Sequence, residues 1–423
     1  MDKNTITGLL LIGAILIGYS LWMQPNAEQK AAQVRMQDSI ANAQAMTEGE
    51  AVTPASESVI AAADSAKQIT PLDSIEIALQ DSLDKIKRQR QFGSFAEAAA
   101  GEETFHTIEN DFVKLTLSNK GAAPVMAELK NYVTFDSLPL YLFDKETSQF
   151  NFSFWINRSQ EIDSKDLYFS PVEDEMTSSR AVYRMFGDSK EKFLELSYDI
   201  AQDGTYLVDA NFRSVGMNEM LSASEDLIEI DWSIQAPFHE RSREQEQMKT
   251  TVYYKLLDEE ADYISETSYS EENLEASISW VSFKQQFFSA AIIASQGFNK
   301  ESAEVSTTEI SDPLYTKAMA VSMSLEFPNQ TDPSFPFQFY LGPNHYQTLA
   351  DLGIGLEDQI DLGWTIFGWV NRWLVIPVFN FLDENTGLSY GIIILILTLL
   401  IKLILSPLTW KNYISSARMR VLK

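Results

Sequence analysis

The sequence predicts a membrane-anchored, mainly β protein, in which a large β-sandwich lies between two apolar segments. Three observations lead to this class. Apolar stretches long enough to cross a bilayer lie near both ends of the 423-residue chain. Between them, short segments alternate apolar and polar residues, as half-buried strands do. A polar stretch rich in Ala, Gln, Ser and Glu separates the first apolar segment from the alternating region.

Charge and composition limit the function classes. The formal net charge of −28 argues against a nucleic-acid partner, because phosphates require a basic surface. The chain contains no Cys, so no disulfide or thiolate chemistry is expected. Its three histidines, His106, His239 and His345, lie far apart without metal-ligand spacing. We therefore expect neither a metal nor a cofactor.

The first apolar segment is ITGLLLIGAILIGYSLWM, residues 6–23, and it carries no charge. As a helix it would be about 27 Å long, close to the thickness of the hydrocarbon core. A cleaved signal peptide is the alternative, but the apolar part is longer than a typical signal core and no A-x-A cleavage site follows. We predict an uncleaved transmembrane anchor at residues 1–24.

Residues 25–101 have the composition of a linker, with three prolines and few large apolar side chains. Such a composition cannot bury a core, which favours a tether between the membrane and a folded domain. One part, SIEIALQDSLDKIKRQRQ at 74–91, has the pattern of a solvated helix.

Residues 102–350 are predicted to form the all-β domain. ENDFVKLTLSNKGAAPVMAELKNY alternates around a turn at 119–121, as two strands of a hairpin do. Seven further strand-like segments follow, at 150–156, 195–200, 205–214, 229–234, 251–257, 278–283 and 318–327. Hydrolase, P-loop and dinucleotide motifs are missing from the sequence, and its acidic pairs are typical of a solvated surface. We expect no enzyme activity.

The second strong apolar segment is LSYGIIILILTLLIKLILSPL, residues 388–408, with Lys402 as its single charge. Acidic residues precede it and basic residues follow it: Asp383, Glu384, Lys411, Arg418, Arg420 and Lys423. The positive-inside rule places its C-terminal end in the cytoplasm, so the residues between the two spans lie outside. We assign 387–410 to a second transmembrane helix and 411–423 to the start of a basic cytoplasmic region.

The region 351–386 contains WTIFGWVNRWLVIPVFNFL, which is long enough to be a third span. Asn371, Arg372 and Pro377 interrupt its apolar character, and a third span would place the basic tail outside. A helix at the water–lipid boundary fits better, although a span and a soluble core helix remain alternatives. The candidate membrane-surface anchors are Trp364, Trp369, Trp373 and Arg372.

The surroundings of Lys402 distinguish it from a lysine that merely reaches the headgroups. Its depth, about 9 Å from the inner end of the span, permits either interpretation. At about 100° per residue, Thr398, Lys402, Ser406 and Thr409 fall within an arc of about 80°. Such a polar stripe is expected to face protein or water, because an unpaired ammonium in lipid costs several kcal/mol.

These features together resemble the YidC family of bacterial membrane protein insertases, in its Gram-negative form. The resemblance covers most of the chain. The segments that carry it are MDKNTITGLLLIGAILIGYS, ENDFVKLTLSNKGAAPVMAELKNY, WVSFKQQFFSA, FYLGPNHYQTL, GWTIFGWVNRWLVIPVFNFL and YGIIILILTLLIKLILSPLTWKNYISSARMRVL. The acidic composition and the Asp-Lys-Asn-Thr opening are most similar to members from Bacteroidetes-type bacteria.

The resemblance implies a periplasmic β-supersandwich, similar in fold to carbohydrate-binding and mutarotase domains, followed by an interfacial helix. It also implies that the second span begins a five-helix core around a hydrophilic groove open to the cytoplasm. The cationic groove residue of the family, usually arginine, falls at Lys402, with Thr398, Ser406 and Thr409 beside it as groove and client contacts. Family members extend beyond the equivalent of Lys423, so the chain is expected to be a fragment that lacks four core helices.

The function implied by the resemblance is insertion and folding of nascent inner-membrane proteins in the lipid bilayer, alone or with the Sec translocon. The expected location is the inner membrane, multi-pass, with the large domain in the periplasm. Two alternatives stay open. One is a membrane-tethered carbohydrate-binding protein, suggested by fold alone, and the other is a periplasmic scaffold that docks Sec components.

Overall fold

A computed structural model describes residues 71–156, 160–217, 227–326, 332–364 and 366–421. The predicted anchor at 1–24 and the linker up to residue 70 lie outside the described residues. Helix α1, Pro71–Phe92, matches the helical pattern of 74–91. Its sequence is polar overall and ends with Arg90 in the last turn, where a cation favours the helix dipole.

The described middle of the chain is the all-β domain that the alternating pattern predicts. Its strands are β1 Phe105–Glu109, β2 Val113–Ser118, β3 Ala123–Val133, β4 Pro139–Phe143, β5 Gln149–Ile156, β6 Gln160–Asp163, β7 Ser170–Pro171, β8 Arg180–Phe186, β9 Phe193–Ile200, β10 Leu207–Val215, β11 Leu227–Pro237, β12 Thr251–Leu256, β13 Ala261–Tyr263, β14 Glu271–Leu274, β15 Ile278–Lys284, β16 Phe288–Thr308, β17 Tyr315–Glu326 and β18 Ser334–Pro343. Each of the seven predicted strand segments overlaps one of these strands. The predicted turn at 119–121 separates β2 from β3.

The described strands form two sheets by hydrogen bonding. One is β1-β2-β3-β4, and the other follows the path β6-β5-β11-β17-β16-β18-β10-β9-β8-β7, with β12, β13, β14 and β15 attached to it. Strand β16 belongs to both layers of the sandwich: its first part pairs with β15 and β18, and its second part pairs with β14 and β17. The register with β17 shifts between Asn299 and Glu304, and such an irregularity bends a strand from one layer to the next.

Alternation in β11 shows how the sequence builds the core. Ile230 and Trp232 are buried, whereas Glu229 and Asp231 between them are exposed. The Trp232 ring lies at the centre of an aromatic group, with centroid distances of 4.5 Å to Phe283, 5.5 Å to Phe339 and 6.1 Å to Phe143. These side chains come from different strands, so packing at this point holds the layers together.

The β-domain begins before residue 102, which corrects the predicted linker boundary. Phe92 and Phe95 are buried and belong to the main hydrophobic core, and Ala96 beside them is also buried. The Phe95 ring packs edge-to-face against Phe154 at 5.5 Å. Residues 25–101 are polar on average, so their composition does not reveal these few apolar side chains. Their burial is enough to attach the end of α1 to the hydrophobic core of the β-domain.

The domain also extends past residue 350. After β18, helix α2 (Tyr346–Ala350) and a 3₁₀ turn (Leu356–Gln359) pack on the sheet through the buried Leu349 and Leu356. The side-chain oxygen of Gln359 accepts hydrogen bonds from Ser282 at 2.8 Å and Ser289 at 3.2 Å. The predicted region 351–386 therefore contains two parts. The first, up to Gln359, belongs to the β-domain, and the second contains the exposed helices that follow it.

Three helices follow the domain. Helix α3, Ile366–Val370, continues through a π-helical turn, Asn371–Val375, into α4, Ile376–Thr386. Gly387, with φ 59°, ends α4 in the left-handed region that favours glycine, and the chain then enters α5, Tyr390–Val421. Helix α4 packs against α5, and Phe379 stacks on Tyr390 with centroids 5.8 Å apart.

A short helix between β11 and β12 spans Arg243–Lys249. It begins with Ser242, whose side chain accepts a hydrogen bond from the Gln245 N–H, as an N-cap residue does.

Candidate functional site

Helix α5 contains a segment that is long and apolar enough to cross a membrane. The window Tyr390–Pro407 has a mean hydropathy of 2.3. All 18 of its residues are described, and only Ile393 and Leu397 are buried against the rest of the protein. A helix with so much exposed apolar surface is not the core helix of a soluble domain, which agrees with the predicted second span.

The two faces of α5 differ in what they contact. The buried Ile393 and Leu397 lie on the same side of α5 as Tyr390, whose ring stacks on Phe379 of α4. At 100° per residue, the midpoint of the stripe formed by Thr398, Lys402 and Ser406 lies about 160° away around the helix. The polar stripe is therefore on the side of α5 opposite the packed face, and its members are exposed.

The hydroxyl groups of the stripe bond back to the helix backbone. Thr398 Oγ1 donates to the Ile394 carbonyl at 2.8 Å, and Thr409 Oγ1 donates to the Leu405 carbonyl at 2.8 Å. These local bonds satisfy the hydroxyl protons, which lowers the cost of placing the side chains within a bilayer. Each oxygen keeps lone pairs that can accept a hydrogen bond from another group.

Ser406 has a structural role that follows from its neighbour Pro407. Proline has no backbone N–H, so the carbonyl four residues earlier, that of Leu403, loses its normal helical partner. Ser406 Oγ donates to this same Leu403 carbonyl at 2.9 Å. Hydroxyl side chains are one of the ways in which membrane helices satisfy backbone groups freed by proline. The pair explains how α5 continues through Pro407.

Lys402 differs from the hydroxyl residues of the stripe, because the ammonium group is exposed and has no acceptor on its own helix. In the described part of the chain, the ammonium forms neither a hydrogen bond nor an ion pair. Lys402 is the single charge of the apolar window Tyr390–Pro407, and it lies on the side of α5 opposite the buried Ile393 and Leu397.

The tryptophans predicted at the membrane surface are exposed: Trp369 and Trp373 lie on the helical segment that begins with α3, and Trp364 lies just before it. Trp364, Trp369 and Trp373 are 75%, 64% and 67% exposed, and Phe367 and Phe381 on the same segment are similarly exposed. Exposed aromatic surface on this scale is unusual for a soluble domain and suits the water–lipid boundary. The π-helical turn, closed by a bond from the Ile376 N–H to the Asn371 carbonyl, adapts the helix just before Pro377.

Arg372 faces the β-domain. Its Nη2 lies 3.1 Å from Asp358 Oδ1, and its guanidinium is 5.8 Å from the Tyr346 ring centroid. Asn371 Nδ2 donates to the Leu362 carbonyl at 2.8 Å. These polar contacts attach the exposed aromatic helix to the end of the β-domain.

Gly368 is a further positioning residue, which the sequence interpretation missed. A Cβ at this position would lie 2.4 Å from the Gly363 carbonyl oxygen, so only glycine permits the close approach of α3 to the preceding segment. The repeated Gly-Trp pair in GWTIFGW, with both glycines in contact, is the signal that identifies it.

The structure brings the four stripe residues together on one helix, and it does not bring them to the tryptophans, which lie on the separate segment before Gly387. Within the described residues, groups of three or more His, Asp or Glu side chains suited to a metal ion do not occur. A shallow groove of about 320 Å³ on β9, β10, β16 and β18 has a mainly apolar lining, which includes Ile293 and Phe337, with the polar side chains of Asp199, Asp209 and Gln338 beside it. Gln338 Nε2 donates to Asp209 Oδ1 at 2.6 Å, so part of this polar surface is already paired.

A buried acid–histidine pair lies at one end of the sandwich. His239 and Glu246 are almost fully buried, with Nδ1 3.6 Å from Oε1. His239 Nε2 donates to the Tyr141 carbonyl at 2.7 Å, and the Glu246 carboxyl accepts the backbone N–H groups of His239 and Glu240. Burial lowers the pKa of His239 to about 4 and raises the pKa of Glu246 to about 7.

A β-domain joined to an exposed aromatic helix and to a helix long and apolar enough to cross a membrane is typical of one class: membrane proteins with a large domain outside the bilayer. The family model of the YidC periplasmic domain matches residues 106–378. The chain belongs to the YidC family, and the matched residues are its periplasmic domain. This confirms the resemblance seen in the sequence and the predicted β-supersandwich class.

Relatives of known name agree with this assignment. A membrane protein insertase YidC of Bacteroides fragilis is 36% identical over 429 residues, which cover 100% of this chain and 65% of the relative. The protein of the same name from Parabacteroides distasonis is 34% identical over 431 residues, with the same coverage. The chain thus spans about two thirds of the length of these relatives. Their organisms fit the predicted Bacteroidetes-type origin.

Two solved structures match the chain at low identity and low TM-score. A YidC insertase crystal structure with the first transmembrane domain resolved is 12% identical, with a TM-score of 0.28, covering 82% of this chain and 66% of that chain. A galactose mutarotase-like protein from Lactobacillus casei is 9% identical, with a TM-score of 0.37, covering 56% of this chain and all of that chain. The family assignment rests on the sequence matches and not on these superpositions.

Proposed function

We propose that this chain supplies the periplasmic domain and the first groove-forming helix of a membrane protein insertase. The insertase helps nascent inner-membrane proteins to enter and fold in the bilayer, alone or with the Sec translocon. The single observation that carries the proposal is the position of Lys402 on the face of α5 opposite the packed Ile393 and Leu397. The names of the relatives, all membrane protein insertases, support the same activity.

The mechanism follows from electrostatics and hydration. A hydrated space along the stripe of Thr398, Lys402, Ser406 and Thr409 gives the polar outer segment of a client a route partway into the membrane. The ammonium of Lys402 attracts acidic residues of that segment, and the apolar segment of the client then partitions into lipid. The groove shortens the apolar path for polar groups and lowers the barrier without covalent chemistry, so no nucleotide, metal or enzyme activity is required.

Charge variants of Lys402 test the proposal in a full-length protein that contains this chain. A charge pair at about 8 Å and an effective dielectric constant of about 40 is worth about 1 kcal/mol. Lys402→Ala should therefore slow insertion of clients with acidic outer segments about fivefold, and Lys402→Glu should slow it further. Lys402→Arg should retain insertion because the charge is kept. Insertion is measured as protease protection of the client in proteoliposomes.

Lys411→Ala is the matched control. Lys411 lies nine residues further along α5, beyond the span and about 180° around the helix from Lys402. Its substitution removes the same charge without changing the stripe, so insertion should continue at the normal rate. Normal insertion of acidic clients by Lys402→Glu would refute the role of the stripe. Saturable sugar binding by the groove at Asp199 and Asp209, with normal insertion, would instead favour the carbohydrate-binding alternative.

A further inference from the structure

One end of the β-sandwich carries a concentration of exposed apolar side chains. Half of the ten large hydrophobic residues exposed on the described β-domain lie there, and each is 52–68% exposed. They are Val133, Phe135, Leu138, Phe287 and Leu314, which we call the apolar rim. Patches of this kind on soluble domains mark contacts with partners or membranes.

Contacts between the loops show that the rim is continuous. Phe135 and Leu138 lie at the tip of the β3–β4 hairpin, where the Thr134 N–H donates to the Leu138 carbonyl at 2.9 Å. The Phe135 N–H donates to the His239 carbonyl, and the Phe135 ring lies 5.6 Å from the ring of Phe238. The Phe238 N–H in turn donates to the Leu314 carbonyl at 2.9 Å.

Phe287 joins the rim through its neighbour Phe288. The Phe288 ring packs edge-to-face on His239 at 6.0 Å and on Tyr132 at 5.1 Å, next to Val133. Gln285, at the same β15–β16 turn, donates to the Leu142 carbonyl of β4 at 3.1 Å. Both hairpin tips therefore project from the same end of the sandwich.

The chain leaves the β-domain for the membrane at this same end. Asn344, which follows β18, donates its N–H to the Phe287 carbonyl at 2.7 Å. Gln359 bonds to Ser289, two residues after Phe287. From Gln359 to the exposed Trp364 is a distance of five residues, at most about 18 Å of extended chain. The rim is thus close to the aromatic helix that leads into the membrane-spanning α5.

We propose that the apolar rim is a second lipid-contacting surface, which rests the periplasmic domain on the outer leaflet beside the aromatic helix. Continuity with the membrane-bound segment selects lipid as the occupant, because α5 holds this end of the domain at the bilayer. The proposal requires α5 to cross the membrane and does not depend on insertase activity.

The chemistry of the contact is apolar. The chain has a net charge of −28, so anionic headgroups would repel it, and attraction must come from Phe, Leu and Val side chains entering the interface. The rim is therefore expected to contact neutral, zwitterionic lipid at least as well as anionic lipid.

Single labels test the contact in the full chain, because the sequence contains no native Cys. Leu138→Cys and Leu314→Cys each place one fluorophore in the rim. Leu257→Cys is the matched control: Leu257 is also exposed, but it lies beside Gly297, at the opposite end of the first part of β16. The labelled chains are reconstituted in phosphatidylcholine vesicles that contain lipids with a nitroxide near the headgroup.

Quenching at the two rim positions should exceed quenching at the control position by about threefold or more. Phe135→Ser should lower quenching of the label at position 314, whereas Leu257→Ser should not. Adding phosphatidylglycerol should leave rim quenching unchanged or reduce it. Equal quenching at rim and control positions, or a rise with phosphatidylglycerol, would overturn the proposal. So would energy transfer between labelled molecules without lipid quenching, which would identify a second copy of the chain as the occupant.

Discussion

The buried pair of His239 and Glu246 should make the stability of the β-domain depend on pH in a way that single substitutions reveal. The Tyr141 carbonyl can only accept, so Nε2 of His239 carries the proton and the Nδ1 lone pair faces Glu246. A neutral Glu246 can direct its proton toward Nδ1, whereas an ionised one places negative charge against a lone pair in a dry site. Burial is the largest cause of both pKa shifts.

The two residues act in opposite directions. Glu246 has a folded-state pKa of about 7, against 4.5 for the free side chain. Its contribution to the free energy of unfolding is therefore complete below pH 4.5 and is lost as the pH rises through 7. His239 has a folded-state pKa of about 4 against 6.5, so its contribution is full above pH 6.5 and is lost as the pH falls through 4. Between pH 4.5 and 6.5 the two residues change the free energy of unfolding with pH in opposite directions and by equal amounts. The pair therefore produces no net pH dependence of stability in this range in the parent protein.

Glu246→Gln separates the two contributions. Gln resembles the protonated acid, so the variant should match the parent near pH 4.5. The pKa shift of about 2.5 units, at about 1.4 kcal/mol per unit, predicts a gain in the free energy of unfolding of about 3 kcal/mol above pH 7. His239→Gln should show the opposite trend, with its advantage over the parent growing by a similar amount as the pH falls from 6.5 to 4.

Urea unfolding of the full chain in detergent, followed by tryptophan fluorescence from pH 4 to 8, measures these differences. Glu259→Gln, at an exposed position of the same domain, controls for the chemical change itself. A difference between Glu246→Gln and the parent that stays constant or falls between pH 4.5 and 7 would refute the reasoning. It would mean that the backbone N–H donors of His239 and Glu240 keep the carboxylate ionised despite its burial.

Substitutions at two further positions test the close packing of α3 at Gly368 and the aromatic packing of the core at Trp232. Gly368→Ala should push α3 away from the Gly363 carbonyl at a cost of about 1–3 kcal/mol, seen as faster amide hydrogen exchange over residues 360–372. Gly391→Ala, where no heavy atom lies within 4 Å of the added Cβ, should leave that exchange unchanged, and equal exchange in both variants would contradict the packing argument. Trp232→Ala should lower the free energy of unfolding by about 3–5 kcal/mol, and Trp232→Phe by clearly less, because Phe keeps the ring contacts to Phe283 and Phe339. Equal losses for the two Trp232 variants in urea unfolding would show that ring packing is not the dominant contribution.

Much of the architecture could be predicted from local sequence pattern. Alternating residues identified the strands from 150–156 to 318–327, because the two-residue period of a strand exposes one side chain and buries the next. The apolar run around Lys402 identified the span, since length and hydropathy alone determine whether a helix can cross a bilayer. The helical period alone also places Thr398, Lys402, Ser406 and Thr409 on one face of the helix.

Contacts between distant residues could not be predicted in this way. The contact of Phe95 with Phe154 places the start of the domain earlier than the sequence predicted, and the burial of Leu356 places its end later. Both contacts depend on surfaces that form only after the strands pair. Arg372 carried no sequence signal for its ion pair with Asp358, which joins the helix to the domain.

The resemblance of whole segments was enough to identify the family. Composition and fixed local periods were enough to predict the β class of the outer domain, the apolar span and the polar stripe on it. Tertiary packing determines which face of α5 is buried, since Ile393 and Leu397 are no more apolar than their exposed neighbours. It alone paired His239 with Glu246 and gathered Val133, Phe135, Leu138, Phe287 and Leu314 at the end of the sandwich where the chain leaves for the membrane. Long-range strand pairing sets these positions, and no local pattern encodes them.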